Sequence, residues 1–257
     1  MIARAAGPVR QRISSGSARG VLVPALAVAA AFLVLAGLGT WQLRRLAWKE
    51  QLIAAAALRA GVPAQDVPPP SLWAGLNRAR DEYLHVRARG RFDHARETLV
   101  YAVRGADEGP PAGPGAFVVT PLMRPDGPPL LVNRGFVPQA RRDPASRAEG
   151  QAAGEVEVTG LLRLPEEASW FVPANDAARE AFYRLDPESI AVARGLAGAA
   201  PFIIDLDAGP VLGGLPVAGT TRLCFPNHHL EYALTWYALA ATLLAVSLAA
   251  LWRRRQR

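Results

Sequence analysis

Two uncharged apolar runs stand near the two ends of the chain. Residues 21–38 (VLVPALAVAAAFLVLAGL) form eighteen residues without a charge, and residues 232–251 (YALTWYALAATLLAVSLAAL) form twenty. At about 1.5 Å per residue these reach about 27 and 30 Å, the thickness of a bilayer's hydrocarbon core. Both are read as transmembrane helices. The first is expected to continue past the membrane, since Gln42–Ala60 keeps strong helix formers until Gly61 and Pro63. VPAQDVPPP then reads as an extended, Pro-rich linker.

Beyond the linker the period changes to two. Tyr83–Phe92 alternates and Glu97–Val103 continues the alternation, which predicts a strand pair joined through Asp93-His94-Ala95-Arg96. After the loop GADEGPPAGPG, Ala116–Met123 and Pro129–Val137 flank the turn signal Pro125-Asp126-Gly127 and predict a second hairpin. Glu155–Leu162 alternates with Glu155 and Glu157 outward, and Phe202–Leu206 is a short buried run. Helices are predicted at Asp176–Arg184 and at Pro187–Leu196, where Asp186 can cap and Pro187 takes the first helical position. The fold class expected is a membrane protein with two transmembrane α-helices flanking an α+β outer domain dominated by antiparallel sheet and curled into a partly open barrel.

Charge orients this layout. The chain of 257 residues is 51% apolar and 20% charged, which excludes disordered, collagenous and coiled-coil classes. Its net charge of +7 resides in the ends: Arg4, Arg10, Arg12 and Arg19 precede the first run, Arg253, Arg254, Arg255 and Arg257 follow the second, and residues 21–252 without them carry −1. No nucleic-acid footprint is therefore expected. Basic tails stay on the cytoplasmic side, which places residues 1–20 and 253–257 inside, the helices at 21–41 and 231–252, and residues 42–230 outside. A cleaved signal would need a shorter apolar core, and the Arg-rich start also suits a mitochondrial leader. Arginine far in excess of the single Lys49 favours a GC-rich bacterial genome, hence a multi-pass protein of the inner membrane with a periplasmic domain. The lone Cys224 excludes an intramolecular disulfide.

Catalytic signatures are scarce: no G-x-S-x-G, phosphate loop, paired C-x-x-C or H-E-x-x-H occurs. The acidic pairs Asp81-Glu82, Glu166-Glu167 and Asp205 with Asp207 fall at strand ends and turns and are read as solvated edges. His85 and His94 are read as surface residues. His228 and His229 differ, because they stand at the outer edge of an uncharged span. An imidazole there either ligates a metal or haem iron or serves as a polar helix start.

Four stretches, in order, carry a resemblance. Asn227-His228-His229-Leu230-Glu231-Tyr232-Ala233-Leu234-Thr235-Trp236-Tyr237 resembles the N-x-H-L-x-Y-A-L-T-W signature of the surfeit-locus family of cytochrome c oxidase assembly proteins. Gly39-Thr40-Trp41-Gln42-Leu43 with Arg45 and Lys49, Gly90-Arg91-Phe92-Asp93 with Glu97, and Leu131-Val132-Asn133-Arg134-Gly135-Phe136-Val137-Pro138 agree with the same family, Phe136 standing where Trp is more usual.

The resemblance implies an assembly factor rather than an enzyme, one that binds haem a and assists its insertion into subunit I of the oxidase. It implies partners in subunit I, haem a synthase and the lipid bilayer. The family's haem-associated histidine aligns with His229. Around it, Trp236 is expected as a ring-sized wall, with Tyr232 on the same helix face and that face meeting the first helix near Trp41. Arg44, Arg45 or Lys49 would pair with propionates or else anchor the helix at the interface. His228 is expected to project toward Glu231. Copper delivery through Cys224, His228 and His229, and a cofactor-free scaffold, are the competing readings. Asn133-Arg134-Gly135 is expected at a strand end, with Arg134 tying down carbonyls.

Overall fold

The computed structural model describes residues 18–167, 169–221 and 227–256. Cys224, most of the N-terminal basic tail and Arg257 lie outside them. The chain divides into two units, residues 1–52 with 226–257, and residues 53–225.

The first unit is helical. Helix α1 (Ala18–Gly61) carries the first apolar run and continues to the expected glycine. A second long helix, numbered α4, covers His229–Arg255, and both are long and apolar enough to cross a membrane. Among the described residues of this unit the buried ones are small: Gly39 on α1, and Ala233 and Ala240 one heptad apart on α4. Small residues let two helix backbones approach in an apolar medium, where hydrophobicity alone supplies no drive to associate.

The second unit is a sheet domain with strands β1 (Gln65–Asp66), β2 (His85–Phe92), β3 (Thr98–Arg104), β4 (Gly113–Met123), β5 (Leu130–Pro138), β6 (Glu155–Arg163) and β7 (Ile203–Leu206). Short helices α2 (Arg78–Asp81) and α3 (Pro187–Ala193) are inserted between them, α3 beginning at Pro187 under an Asp186 cap as expected and ending three residues early. The strand order is β1-β2-β6-β7-β5-β4-β3, and an added β2–β4 pairing closes β2, β6, β7, β5 and β4 into a five-stranded barrel. All barrel pairings are antiparallel except β5–β7.

Alternation sorts the core. Val86, Phe92, Leu122, Leu130, Val132, Leu162 and Ile204 fill the barrel, while Val119, Leu131 and Ile203 point outward to meet Ile190 of α3, Phe182 and Leu185. Strands β5 and β7 read as almost unbroken apolar runs because both of their faces are covered.

Three expectations are corrected. The second hairpin forms as β4 and β5, but β2 and β3 do not pair with each other. They lie in line along one edge of β4. Phe92 pairs with Leu122 and Thr98 with Val119, so six residues on one side advance past three on the other and His94-Ala95-Arg96 loops out as a single turn. The helix predicted at Asp176–Arg184 is one turn, Ala177–Arg179. The Asp176 carboxylate caps its start and Glu180, at φ +53°, ends it, so that Phe182 can bond β3.

The third correction concerns acids. Asp81, Glu82 and Asp205 are buried rather than solvated. Glu82 accepts from Arg163 Nε (3.0 Å) and from the Leu164 amide, while Asp205 accepts from Arg163 Nη1 (2.8 Å), Asn133 Nδ2 (2.9 Å) and Thr221 Oγ1 (2.7 Å). Buried carboxylates persist only with such partners, and every partner of Asp205 comes from elsewhere in the chain. His85 and His94 are likewise half-buried: His85 bonds Val62 O and Asp207, and His94 bonds Ala152 O and Arg134.

Candidate functional site

Helix α4 begins at His229, with His228 at the cap position and no side-chain cap bond. The His229 imidazole is half-buried and its Nδ1 lies 2.7 Å from Gln42 Oε1 of α1. An amide oxygen only accepts, so Nδ1 carries the proton and Nε2 keeps its lone pair. Holding one imidazole nitrogen by a neutral acceptor is how proteins orient the other toward a metal.

About two helical turns further along α4, the second contact between the helices is made by Tyr237. Its hydroxyl lies 3.0 Å from Thr40 Oγ1, and its ring covers Gly39, where a Cβ would stand 2.9 Å from ring carbons. Asn227 Oδ1, two residues before the imidazole, is buried with no hydrogen-bond partner among the described residues.

The structure brings some of the expected residues together and not others. Trp236 is half-buried, seven residues after His229 and therefore on the same helix face. Tyr232 is 57% exposed and Trp41 55% exposed, and neither makes a ring contact with His229 among the described residues. Arg45 lies over the Trp48 ring at 4.0 Å. His228 is exposed and its Nδ1 lies 3.4 Å from Glu231 Oε2, the direction expected for it.

The sequence pattern assigns Gln42 no role and reads Tyr237 only as an aromatic residue at the membrane interface. Their signal was present, since both fall within the quoted motifs, and a polar Gln near the end of an uncharged helix segment needs a partner.

Comparison with known proteins decides the kinship. Residues 29–241 match the SURF1 family. This chain belongs to the SURF1 family. It is 42% identical over 215 residues to Surfeit locus protein 1 of Mus musculus, covering 80% of this chain and 68% of that protein. The human protein is 41% identical over 216 residues, covering 80% of this chain and 70% of its own. The SURF1-like protein of Drosophila melanogaster is 34% identical over 218 residues, covering 80% and 70%.

Placed on the fold, the four SURF1 motifs fall into two groups. Gly39–Leu43 and Asn227–Tyr237 form the helix contact just described. Gly90-Arg91-Phe92-Asp93 is the seam of the barrel: Arg91 and Phe92 pair with β4, and a Cβ on Gly90 would stand 2.5 Å from Met123 O, so only glycine admits the closing strand. Asn133-Arg134-Gly135 forms a bulge on β5 opposite Phe117–Val119, with Gly135 at φ +120° and packed on the Val217 carbonyl. Arg134 donates to the Gly150 carbonyl, the service expected of it.

Proposed function

We propose that this chain binds haem a through His229 and assists its insertion into subunit I of a haem-copper cytochrome c oxidase. Kinship with the SURF1 family supports oxidase assembly, rather than substrate turnover, as the task. The observation that carries the haem reading is the His229–Gln42 bond: it leaves Nε2 deprotonated, the form an iron ligand needs. The surroundings suit the cargo's chemistry. Haem a is an apolar macrocycle with an apolar tail and two anionic propionates. Trp236 offers a wall on the same face as His229, the exposed rings of Tyr232 and Trp41 offer apolar surface, and Arg45 offers a cation for a propionate. Bound haem would supply an iron for the imidazole of His229 to ligate, and the chain's own part would be to hold the macrocycle against Trp236, Tyr232 and Trp41.

In this reading the basic ends lie in the cytoplasm, residues 42–230 in the periplasm and the helices in a bacterial inner membrane, with subunit I, haem a synthase and the lipid bilayer as partners. The experiment is an absorption spectrum of full-length protein purified from cells that make haem a. Wild type and Cys224→Ser should both carry haem a, and His229→Ala should lose it while still inserting in the membrane. Retention of haem with an unchanged spectrum in His229→Ala would end axial ligation by this residue. Loss of the cofactor on Cys224→Ser instead would favour copper.

A further inference from the structure

Arg134 is a buried cation without an acid of its own. It is 4% exposed, and the bulge in β5 turns it over the end of the barrel, its guanidinium 5.1 Å from the Phe92 ring. Its two hydrogen-bond partners are neutral: the Gly150 carbonyl, and His94 Nδ1 at 3.3 Å. Arginine only donates, so His94 Nδ1 accepts, and the His94 proton resides on Nε2, 2.9 Å from Ala152 O. Glu97, whose charge acts on Arg134, is taken by Arg147 in a buried pair. Arg134, Arg147 and Glu97 together leave one positive charge beneath the surface. Burial pulls the Arg134 guanidinium down to about 10, with the charge of Glu97 opposing the fall and that of Arg147 adding to it.

The same residue lines a cavity of about 420 Å³ at the mouth of the barrel, between the strand ends and the chain around residues 208–218. Phe92, Val156, Val158, Leu206, Pro210 and Val211 make its walls mostly apolar. Barrel mouths are recurrent ligand sites, and this volume falls in the usual range for a small molecule. Three acids also border it. Glu157 is paired with Arg89 (2.6 Å), Asp207 with His85 (2.8 Å), and Glu149 is exposed. A dianion passing that rim meets repulsion, whereas a single carboxylate on an apolar body matches both the walls and the one uncompensated charge.

We infer that the barrel-mouth cavity is a binding site for a small apolar monocarboxylate, with Arg134 as its counter-ion. Binding supplies the anion that the fold leaves out, and a carboxylate accepts two parallel N–H bonds from a guanidinium of which two of five donors are engaged. This inference is independent of haem binding, which concerns the other unit of the chain.

The test uses full-length protein in nanodiscs and fluorine NMR line broadening with three probes: 3-(4-fluorophenyl)propionate, the alcohol of the same length and its phosphate ester. The carboxylate should bind at least tenfold more tightly than either of the others. Arg134→Gln should abolish that preference, and Val211→Trp, which fills the cavity without touching the charge, should weaken carboxylate binding at least tenfold. Should Arg134→Gln fail to fold, the wild-type preference and Val211→Trp still decide. Equal binding of acid and alcohol to wild type, no binding of the acid, a preference that survives Arg134→Gln, or full carboxylate binding by Val211→Trp would each overturn the assignment.

Discussion

His229 and Gln42 stand 187 residues apart in the chain and 2.7 Å apart in space. The bond joins the start of α4 to the middle of α1, and it sets which imidazole nitrogen is protonated. One contact thus couples the pairing of two helices to the tautomer of an imidazole on one of them.

Removing the amide should therefore loosen the ligand without removing it. Gln42→Leu is expected to weaken haem a binding about 10–100-fold, the usual cost of losing a partner behind a ligand, while Gln42→Glu restores an acceptor and most of the affinity. Absorption titration of the purified variants measures this, and wild-type affinity in Gln42→Leu would show that the bond does not orient the ligand.

Gly39 under Tyr237 predicts a pairwise effect. Gly39→Ala pushes a methyl group into the tyrosine ring and should cost about 1–3 kcal/mol, and Tyr237→Ala should make the same change nearly neutral. A double-mutant cycle on thermal unfolding in detergent reads the coupling. Additive effects would mean that the two residues do not meet.

Asp205 holds Arg163, Asn133 and Thr221 in the sheet domain. Asp205→Ala leaves Arg163 with Glu82 as its one remaining carboxylate and takes the acceptor from Asn133 Nδ2 and Thr221 Oγ1, and should destabilise the domain by about 1–3 kcal/mol. Denaturant unfolding followed by tryptophan fluorescence gives the number; a loss below about 1 kcal/mol would contradict the burial of this network.

His85 predicts a pH dependence. Its ring nitrogens face two acceptors, Val62 O and Asp207 Oδ2, so both donate and the imidazole is a cation. Burial acts to lower its pKa, but the bonds to Val62 and Asp207 outweigh it and the net shift is upward. A pKa raised above the unfolded value of about 6.5 contributes stability that is complete below that pH and lost as pH rises through the folded value. The wild-type domain should therefore lose stability relative to His85→Gln as pH rises above about 6.5. Parallel pH profiles of the two proteins would refute the charged state.

The arginine tails predict orientation. A reporter active only in the periplasm should be silent after Arg257 and active when inserted within Glu108–Gly115, and the reverse pattern would invert the topology.

The sequence by itself determined the elements whose energetics are local. A bilayer-length run without charge makes a membrane helix whatever its neighbours, and so both ends of the chain were legible. Asp186 before Pro187 starts α3, and Pro125-Asp126-Gly127 between two apolar runs makes the β4–β5 hairpin, because caps and turns act over a few residues. The tertiary structure decided whatever depends on a partner far along the chain. Alternation marked β2 and β3 as strands but not their neighbour, and the glycine that admits β4 at Met123 turned an expected hairpin into one bent edge of a closed barrel. Asp205 looked like a solvated edge until Arg163, Asn133 and Thr221 arrived from other segments to hold it. At the candidate site the family motif pointed to His229, while only folding showed that Gln42 sets its tautomer and that Tyr237 makes the second contact with the first helix. A residue's type and period report its own preference for water or apolar surroundings. Which group satisfies that preference is a matter of which distant segments the fold brings within about 3 Å.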